Sequence, residues 1–278
     1  TASPAAAIAR GDLVLSPGDP RLEPAAASLQ AGKHLAARLA LTKVIPDVDK
    51  TATLDIRMAA HALLARACQS LADTKCATAE SEKVRAAWKD PAAAVKELDA
   101  LPGDESAKDA RLVRALKAVG EALFYVGEGK RLATEKEKVP VYKGSGTAED
   151  VNKHVVGKIG PWIKARRALN EEAEKAFLAV VNIQPVPPPQ WVVASAARVG
   201  DMWGKFAAEL RAAPIPEAWK KSTPEAEKIR KGYYSALDDA SEPIRLRARA
   251  AYETCQSQAK KFAVQDEYSK HCDAWIAK

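Results

Sequence analysis

Apolar residues recur every three to four positions along most of the chain. In the first half, for example, Leu54, Met58, Leu64 and Cys68 lie on one helical stripe together with His61. No segment alternates between apolar and polar residues for long enough to predict a strand. Alanine, the best helix former, supplies much of the 47% hydrophobic content, and aromatic residues supply only 6%. We therefore predict an all-α protein whose helices pack closely through small side chains.

Clusters of proline and glycine divide this helical pattern. Residues 1–21 predict an irregular N-terminal lead-in, and residues 139–146 are the clearest break between helices. We predict an N-terminal helical region over residues 22–139 and a C-terminal helical region over residues 140–278. Within the second region, the proline-rich run at residues 184–190 predicts an extended spacer between two helices.

Single prolines and acidic residues predict where individual helices begin and end. We expect the first helical segment to end at Pro46 and the next to begin after Asp49, whose side chain could cap it. Pro224 fits the first turn of a helix, where proline is tolerated. Pro243 likewise predicts the start of a separate helix.

The four cysteines form two pairs, and each pair straddles a predicted bend between two helices. Cys68 and Cys76 lie about equally far from one bend, and Cys255 and Cys272 from the other, so antiparallel helices would bring each pair together. We therefore predict two disulfides, which favour an oxidising compartment because cytosolic thiols are kept reduced. Two alternatives stay open: four buried free thiols, and a metal ion bound by Cys255, His271 and Cys272.

The N-terminal sequence agrees with export. The chain begins with Thr1, without an initiator methionine and without the charged, apolar and small-residue zones of a signal peptide. We expect that an export signal has been removed and that the protein works in the periplasm or at the cell envelope. No stretch approaches the roughly 18 uninterrupted apolar residues that a membrane-spanning helix needs.

Three sets of residues follow the pattern of helix pairs that pack through small and aromatic side chains. The small residue lets two helices touch, and the aromatic ring fills the space beside it. The sets are Ala173, Phe177, Val180 and Pro185; Val199, Gly200 and Trp203; and Ala248, Tyr252 and Cys255. Together with the surrounding segments 164–181, 191–216 and 247–278, they resemble the degenerate tetratricopeptide-repeat proteins of the cell envelope of myxobacterial-type Gram-negative bacteria.

The resemblance implies an antiparallel array of helical hairpins, an α-α superhelix, with a concave surface for other proteins. It also implies a periplasmic or envelope-associated scaffold, compatible with a gliding-motility or secretion assembly. In such an array the stacked hairpins receive a helix or an extended segment of a partner protein. We expect neither a cofactor nor a metal ion in this function.

Four residues are candidates for contacts with a protein partner: Trp203, Trp219, Arg245 and Arg249. Tryptophan and arginine are enriched among the residues that dominate binding energy. Trp203 is expected to face the groove of the array. Trp219 lies beside two lysines in a proline-bounded loop and is the best candidate for an exposed ring.

The net charge of +7 arises from 43 basic and 36 acidic residues that are interspersed along the helices, which is typical of solvated helix faces. The basic clusters at residues 245–249 and 164–167 lack interleaved aromatic residues, so nucleic-acid binding is not predicted. A basic protein that binds the cell wall or another anionic polymer is one alternative function.

A helical enzyme that acts on the cell wall is the other alternative. Such an enzyme needs a catalytic glutamate in a polar cleft, and no isolated glutamate stands out in the sequence. The histidines do not form an HExxH motif, and no predicted strand leads into a phosphate-binding glycine loop. We therefore expect a non-catalytic adaptor that binds proteins or peptides of the cell envelope.

Overall fold

The computed structural model describes residues 17–277, and every regular element in this range is helical. The prediction of an all-α protein is confirmed. Most of the predicted lead-in, residues 1–16, lies outside the described residues. Residues 17–22 form a turn that leads into the first helix.

Short turns join most of the helices. The helices are α1 (Glu23–Gln30), α2 (His34–Thr51), α3 (Leu54–Ser70), α4 (Thr74–Ala87), α5 (Pro91–Asp99), α6 (Glu105–Thr134), α7 (Ala148–His154), α8 (Gly160–Val181), α9 (Pro189–Arg211), α10 (Pro224–Phe262) and α11 (Glu267–Ile276). A π-helical turn, Val155–Ile159, joins α7 to α8, and a 3-10 turn, Glu217–Lys220, precedes α10. The loop between α6 and α7 contains the break predicted at residues 139–146, which is confirmed.

Side-chain caps fix several helix starts. Asp90 Oδ1 accepts the Ala93 N–H at 3.0 Å where α5 begins, and Asp104 Oδ1 accepts the Ala107 N–H at 2.9 Å where α6 begins. A cap of this kind stabilises a helix by about 1 kcal/mol because it satisfies an N–H group without an intrahelical partner. Pro224 occupies the first turn of α10, as predicted.

The helices share one apolar core. The long helix α6 is central and contacts α3, α4 and α5 on the N-terminal side and α8 and α9 on the C-terminal side. The most extensive contact between two helices joins α9 and α10. The buried apolar cluster contains residues of α1 to α6 and of α8 to α10, so the predicted regions 22–139 and 140–278 are packed against each other through a common core.

Two predicted helix boundaries are wrong because packing continues across a proline. Helix α2 passes through Pro46 to Thr51, and α10 passes through Pro243 as one helix of 39 residues. Ile45 and Val48 are buried on either side of Pro46. Burial of this apolar stripe therefore outweighs the backbone hydrogen bond that the proline removes.

The prediction that Asp49 caps a helix is also wrong. Asp49 lies inside α2, and its carboxylate accepts a hydrogen bond at 3.0 Å from Nε2 of the buried His61 in α3. The Nδ1 atom of His61 lies 2.5 Å from Glu80 Oε2 in α4, and Lys83 donates to the other Glu80 oxygen at 2.8 Å. This cluster ties α2, α3 and α4 together. Burial raises the pKa of Glu80, but the hydrogen bonds from His61 and Lys83 lower that pKa by more.

Glu80→Gln is expected to reduce the free energy of unfolding at neutral pH by about 1 to 3 kcal/mol, because it removes charged hydrogen bonds from a buried site. The folded-state pKa of Glu80 lies below its ordinary value, so the stabilisation is present above the unfolded-state pKa and is lost as the pH falls through the folded-state pKa. Urea denaturation at several pH values should show the two proteins converging in acid. The exposed Glu82→Gln on the same helix is the control; a pH-independent difference for Glu80→Gln contradicts the prediction.

Gly200 allows α9 and α10 to approach closely, as its position in the predicted helix-pair pattern suggests. A Cβ atom at this position would lie 2.8 Å from ring atoms of Tyr252. The ring cannot move aside easily, because its hydroxyl donates to Asp201 at 2.7 Å and its face stacks on Trp275 at 4.4 Å. One turn later, a Cβ atom on Gly204 would meet its nearest neighbour at 3.9 Å, which is ordinary contact.

The same substitution at these two glycines is therefore expected to have opposite effects. Gly200→Ala should lower the free energy of unfolding by about 1 to 3 kcal/mol through overpacking. Gly204→Ala should raise it by about 0.5 to 1 kcal/mol, because alanine favours the helix. Thermal denaturation of both variants tests the close contact between Gly200 and Tyr252. Stabilisation by both substitutions would show that α9 and α10 lie farther apart than they do in the structure.

Candidate functional site

The structure contains both predicted disulfides. Cys68 pairs with Cys76 at a Cα–Cα distance of 5.8 Å, and Cys255 pairs with Cys272 at 6.3 Å. The first bond joins α3 to α4, and the second joins α10 to the C-terminal helix α11. The alternative of four free thiols is therefore wrong. The alternative of a metal ion bound by Cys255, His271 and Cys272 is also wrong, because the Cys255–Cys272 disulfide leaves no thiolate to bind it.

The structure buries both tryptophans that were predicted to bind a partner. The prediction that Trp219 is exposed is wrong: only 7% of this residue is accessible. Its indole Nε1–H donates to the carbonyl of Gly146 at 3.1 Å, and its ring packs edge-on against Tyr233. Trp203 is 1% exposed, so its ring does not reach a partner in this conformation.

The two predicted arginines lie on the surface and close to each other. Arg245 and Arg249 line a hollow of about 390 Å³ on the outer side of α10, together with Leu246, Trp275 and one more residue of α11, Ile276. Each guanidinium already has a carboxylate on its own helix: Glu242 lies 2.5 Å from Arg245, and Glu253 lies 2.9 Å from Arg249. An acidic partner must therefore compete with these local ion pairs.

A different surface has the form of a binding groove. Helix α9 forms its floor, and α8 and α10 form its two walls, around a volume of about 230 Å³. Its accessible surface is mainly apolar. The apolar lining residues are Phe177, Leu178 and Val181 from α8, Val192, Ala196 and Val199 from α9, and Ala250 and Ala251 from α10. We refer to this surface as the α8–α9–α10 groove.

The wall and the floor of this groove differ in side-chain size. Leu178 and Val181 on α8 are 51% and 44% exposed, although both are large apolar residues. The floor and the opposite wall carry small side chains, including Ala196 and Ala250. Small residues permit close approach of a polypeptide backbone, and exposed leucine and valine offer apolar contacts to it.

The floor also contains a polar group without a hydrogen-bond partner. Ser195 lines the groove, is 2% exposed, and its Oγ atom forms no hydrogen bond in the structure. A buried hydroxyl without a partner is destabilising by about 1 to 3 kcal/mol.

Two side chains of opposite charge, Glu174 and Arg247, lie above Trp203 at the edge of the groove. Glu174 Oε2 accepts the indole N–H of Trp203 at 2.9 Å, and Arg247 lies 2.8 Å from the same carboxylate. The Arg247 guanidinium also lies 4.3 Å above the centre of the Trp203 ring. Trp203 therefore anchors the rim of the groove from below.

The neighbouring surface of α9 and α10 is already occupied by a helix of this chain. Helix α11 contacts both, and Tyr268, Cys272 and Ile276 follow one another at intervals of four along it. Val193 and Ala197 of α9 are fully buried in the cluster that α11 completes. The chain thus contains an example of a short helix packed against this helix pair.

The interface with α11 is reinforced by polar contacts. Asp201 Oδ1 accepts hydrogen bonds from the Tyr252 hydroxyl and from His271 Nε2, each at 2.7 Å. Burial raises the pKa of Tyr252, and the hydrogen bond to Asp201 raises it further. The tyrosine therefore stays protonated and acts here as a donor that joins α9 to α10.

Buried carboxylates in the described part of the chain have cationic partners. They are Asp19 with Arg21, Asp55 with Arg114, Glu80 with His61 and Lys83, Glu121 with Arg66, and Glu128 with Arg131. A general acid in glycoside hydrolysis must deliver a proton to the substrate, whereas these carboxylates are paired with cations of the fold. The pairs of Asp55, Glu80 and Glu121 each join two helices.

Comparisons with models of protein families, with curated protein sequences and with solved structures find no match for this chain. The resemblance to tetratricopeptide-repeat proteins therefore remains a prediction. Within the described residues, none of the helices is long and apolar enough to cross a lipid bilayer.

The sequence pattern singled out Phe177 and Val199 as packing residues, but it did not single out the exposed residues of the α8–α9–α10 groove. One signal was present: Leu178 and Val181 are apolar, but each stands one position after a residue of the buried stripe that contains Phe177 and Val180. Apolar residues beside a buried stripe widen the apolar face of a helix. Such a widened face indicates a second contact surface.

Proposed function

We propose that this chain is a non-catalytic, tetratricopeptide-repeat-like adaptor that binds an amphipathic helix of a partner protein in the α8–α9–α10 groove. The observation that carries the proposal is the groove itself. A mainly apolar floor from α9 lies between two helical walls, one of which exposes Leu178 and Val181. Helix-in-groove recognition uses surfaces of this kind, with anchors at intervals of three and four residues along the bound helix.

A helix fits this groove better than an extended strand does. An extended segment is best recognised by backbone hydrogen bonds at a sheet edge, whereas the walls and floor here are helices whose backbone groups are bonded internally. The contact between α11 and the adjacent face of α9 and α10 supplies a precedent within the chain. A partner helix with leucine or valine anchors would add a further layer to the array.

The periplasm or the cell envelope is the proposed location. Two disulfides are compatible with an oxidising compartment. A role in a gliding-motility or secretion assembly follows from the resemblance alone and is part of the same proposal. The partner is a protein or peptide of that compartment, and no cofactor is required.

The two alternatives make different demands on the surface. An anionic polymer that bound at the predicted contact residues would have to displace carboxylates, because Arg245 and Arg249 are each paired with one on their own helix. A cell-wall enzyme needs a carboxyl group poised in a polar cleft, whereas the groove is mainly apolar. These observations favour the adaptor.

A display library of amphipathic helical peptides, randomised at its apolar positions, tests the proposal when it is selected on the full chain. We expect enrichment of peptides with apolar anchors at intervals of three and four residues. Their affinity should change little between low and high salt, because apolar contacts are not screened.

Two controls accompany this selection. Polyglutamate measures affinity for an anionic polymer, and release of soluble fragments from purified peptidoglycan measures wall hydrolysis. Selection of acidic sequences whose binding disappears in high salt would favour the polymer binder. Release of wall fragments would favour the enzyme, and either result would contradict the adaptor.

A further inference from the structure

The outer face of α2 exposes two leucines. Leu35 and Leu39 lie about one helical turn apart and are 59% and 64% exposed. The opposite face of the helix, which contains Leu41 and Ile45, is buried, and α2 packs mainly against α1 and α3. Helix α2 therefore lies at the edge of the array, and its two leucines point away from the fold.

An exposed pair of leucines is unusual on the last helix of a helical array. Terminal helices normally present a polar outer face, because no neighbouring helix covers them. Among the described residues outside the α8–α9–α10 groove, no other helix exposes two large apolar side chains three or four positions apart. The chain thus has one groove that fits a helix with such anchors and one helix that presents them.

The outer face of α2 matches the α8 wall of the groove when the two helices run antiparallel. The α8 wall presents Glu174, Leu178 and Val181 in that order, and α2 presents Lys43, Leu39 and Leu35 in the reverse direction. Successive members of each set lie about one turn, or about 5 to 6 Å, apart. One register therefore places both leucines against the apolar wall and the lysine beside the glutamate.

The charges at the glutamate end of the wall agree with this register. Arg247 is shared by Glu171 at 3.3 Å and Glu174 at 2.8 Å, and it contacts only one oxygen of each carboxylate. The neighbouring Lys175 does not line the groove. Lys43 is exposed and forms no ion pair with any described residue. Its ammonium group can therefore bind a second carboxylate oxygen without displacing Arg247.

The other end of the wall is the C-terminus of α8. Its last turn contains no basic residue, so no cation of this helix offsets the partial negative charge of the terminal carbonyl groups. In the same register, Lys33 lies just beyond Leu35 and close to these carbonyls. Both ends of the wall thus favour the positive charges that flank the two leucines of α2.

We propose that helix α2 of a second copy of this chain occupies the α8–α9–α10 groove, with Leu39 against Leu178 and Lys43 beside Glu174. The inference rests on the proposed function and names a partner for the same groove. The contact joins two different surfaces, so each added copy brings one further groove and one further α2 face. A contact of this kind makes assembly continue head to tail beyond two copies.

Sedimentation velocity of the full chain tests the inference at concentrations from about 1 to 100 µM, the range of weak protein contacts. We expect the average mass to rise past that of two copies as the concentration increases. Leu39→Asp and Leu178→Asp should each weaken self-association by at least about thirtyfold, because either carboxylate would be buried without a partner. Lys43→Glu should weaken it about fivefold, since it replaces an attraction by a repulsion.

A mixture of two variants distinguishes this contact from a symmetric one. Leu39→Asp keeps an intact groove, and Leu178→Asp keeps an intact α2 face. Each variant alone should stay monomeric, whereas an equimolar mixture should form a 1:1 complex that stops at two copies. A symmetric contact between two α2 helices would be lost in Leu39→Asp and retained in Leu178→Asp, which would overturn the inference.

Two substitutions at exposed positions outside both surfaces serve as controls. Leu246→Asp replaces an exposed leucine on the outer side of α10, and Lys89→Glu reverses an exposed charge after α4. Neither should change self-association by more than about twofold. Circular dichroism should show that all the variants keep the helical content of the parent.

The peptide selected on the groove separates this inference from the proposed function. We expect the peptide to dissociate the assembly, because both compete for one groove. A parent that binds the peptide but stays monomeric at every concentration overturns the inference and leaves the proposed function intact. A parent that neither assembles nor binds any helical peptide overturns both.

Assembly that the peptide leaves unchanged would also overturn the inference.

Discussion

Leu178→Asp is expected to weaken the binding of a groove-selected peptide by at least about thirtyfold, since residues that dominate an interface contribute about 2 kcal/mol or more. Leu178 stands on the α8 wall and is half-exposed, so an aspartate remains hydrated there in the free protein. In the complex, the same carboxylate would be buried against the apolar face of the bound helix, where it has no partner. The variant should therefore fold normally, but its affinity for the peptide should be much lower.

Leu246→Asp is the matched control for this prediction. Leu246 is 57% exposed, lies on α10, and faces the hollow on the outer side of that helix instead of the groove. Its replacement should change the affinity by less than about twofold. Fluorescence anisotropy of the labelled peptide measures both variants. Equal losses, or no loss in either, would place the peptide outside the groove.

Glu121→Ala is expected to lower the free energy of unfolding by about 3 kcal/mol, because it leaves a partly buried arginine without its carboxylate partner. Glu121 on α6 is 1% exposed, and both of its oxygens accept hydrogen bonds from Arg66 on α3, at 2.5 and 2.7 Å. Burial lowers the pKa of Arg66, but the charge and hydrogen bonds of Glu121, together with the interactions of Tyr125, raise that pKa by more, so the guanidinium stays charged. Loss of the carboxylate thus leaves a partly buried cation without its main partner.

Glu105→Ala on the same helix provides the comparison. Glu105 forms an ion pair with Lys108 at 2.7 Å on the surface, where such pairs contribute less than about 1 kcal/mol. The double variant Arg66→Met with Glu121→Leu should recover most of the lost stability, since an apolar pair of similar size avoids the desolvation penalty. Urea denaturation distinguishes the variants. A Glu121→Ala effect no larger than that of Glu105→Ala would mean that the pair is hydrated.

The helical class and the cysteine pairing followed from local regularities of the sequence. Apolar spacing of three and four identifies the buried face of each helix, and the bends between helices determine which cysteines meet. The proximity of Gly200 to Tyr252 agrees with a pattern of small and aromatic residues. Each of these features leaves a local signal in the sequence, namely the apolar spacing within a helix, the position of a bend, or a small residue near an aromatic one.

Features that depend on distant contacts were not predicted correctly. Proline disfavours the helix locally, but α2 and α10 continue through Pro46 and Pro243 because neighbouring helices cover the apolar stripe on both sides. The loop that covers Trp219 is more than 70 residues away in sequence from it. The spacing of apolar residues indicates which face of a helix is apolar. It does not indicate which segment of the chain covers that face.

The candidate site was hidden for the same reason. The α8–α9–α10 groove combines residues from three helices, and its most exposed anchor, Leu178, stands next to the fully packed Phe177. Only the packing of α8 against α6 and α9 decides which of the two faces the core. Arg245 and Arg249 lie on the surface. Trp203 and Trp219, in contrast, are buried and pack within the fold.

Photo-crosslinking tests the central claim most directly. A benzophenone side chain introduced at Ala250, on the α10 wall of the groove, should capture the groove-selected peptide on illumination. The same group at the adjacent Arg249, which faces the outer hollow, should not capture it, because successive helix positions point about 100° apart. Capture at position 249 with none at position 250 would contradict the account.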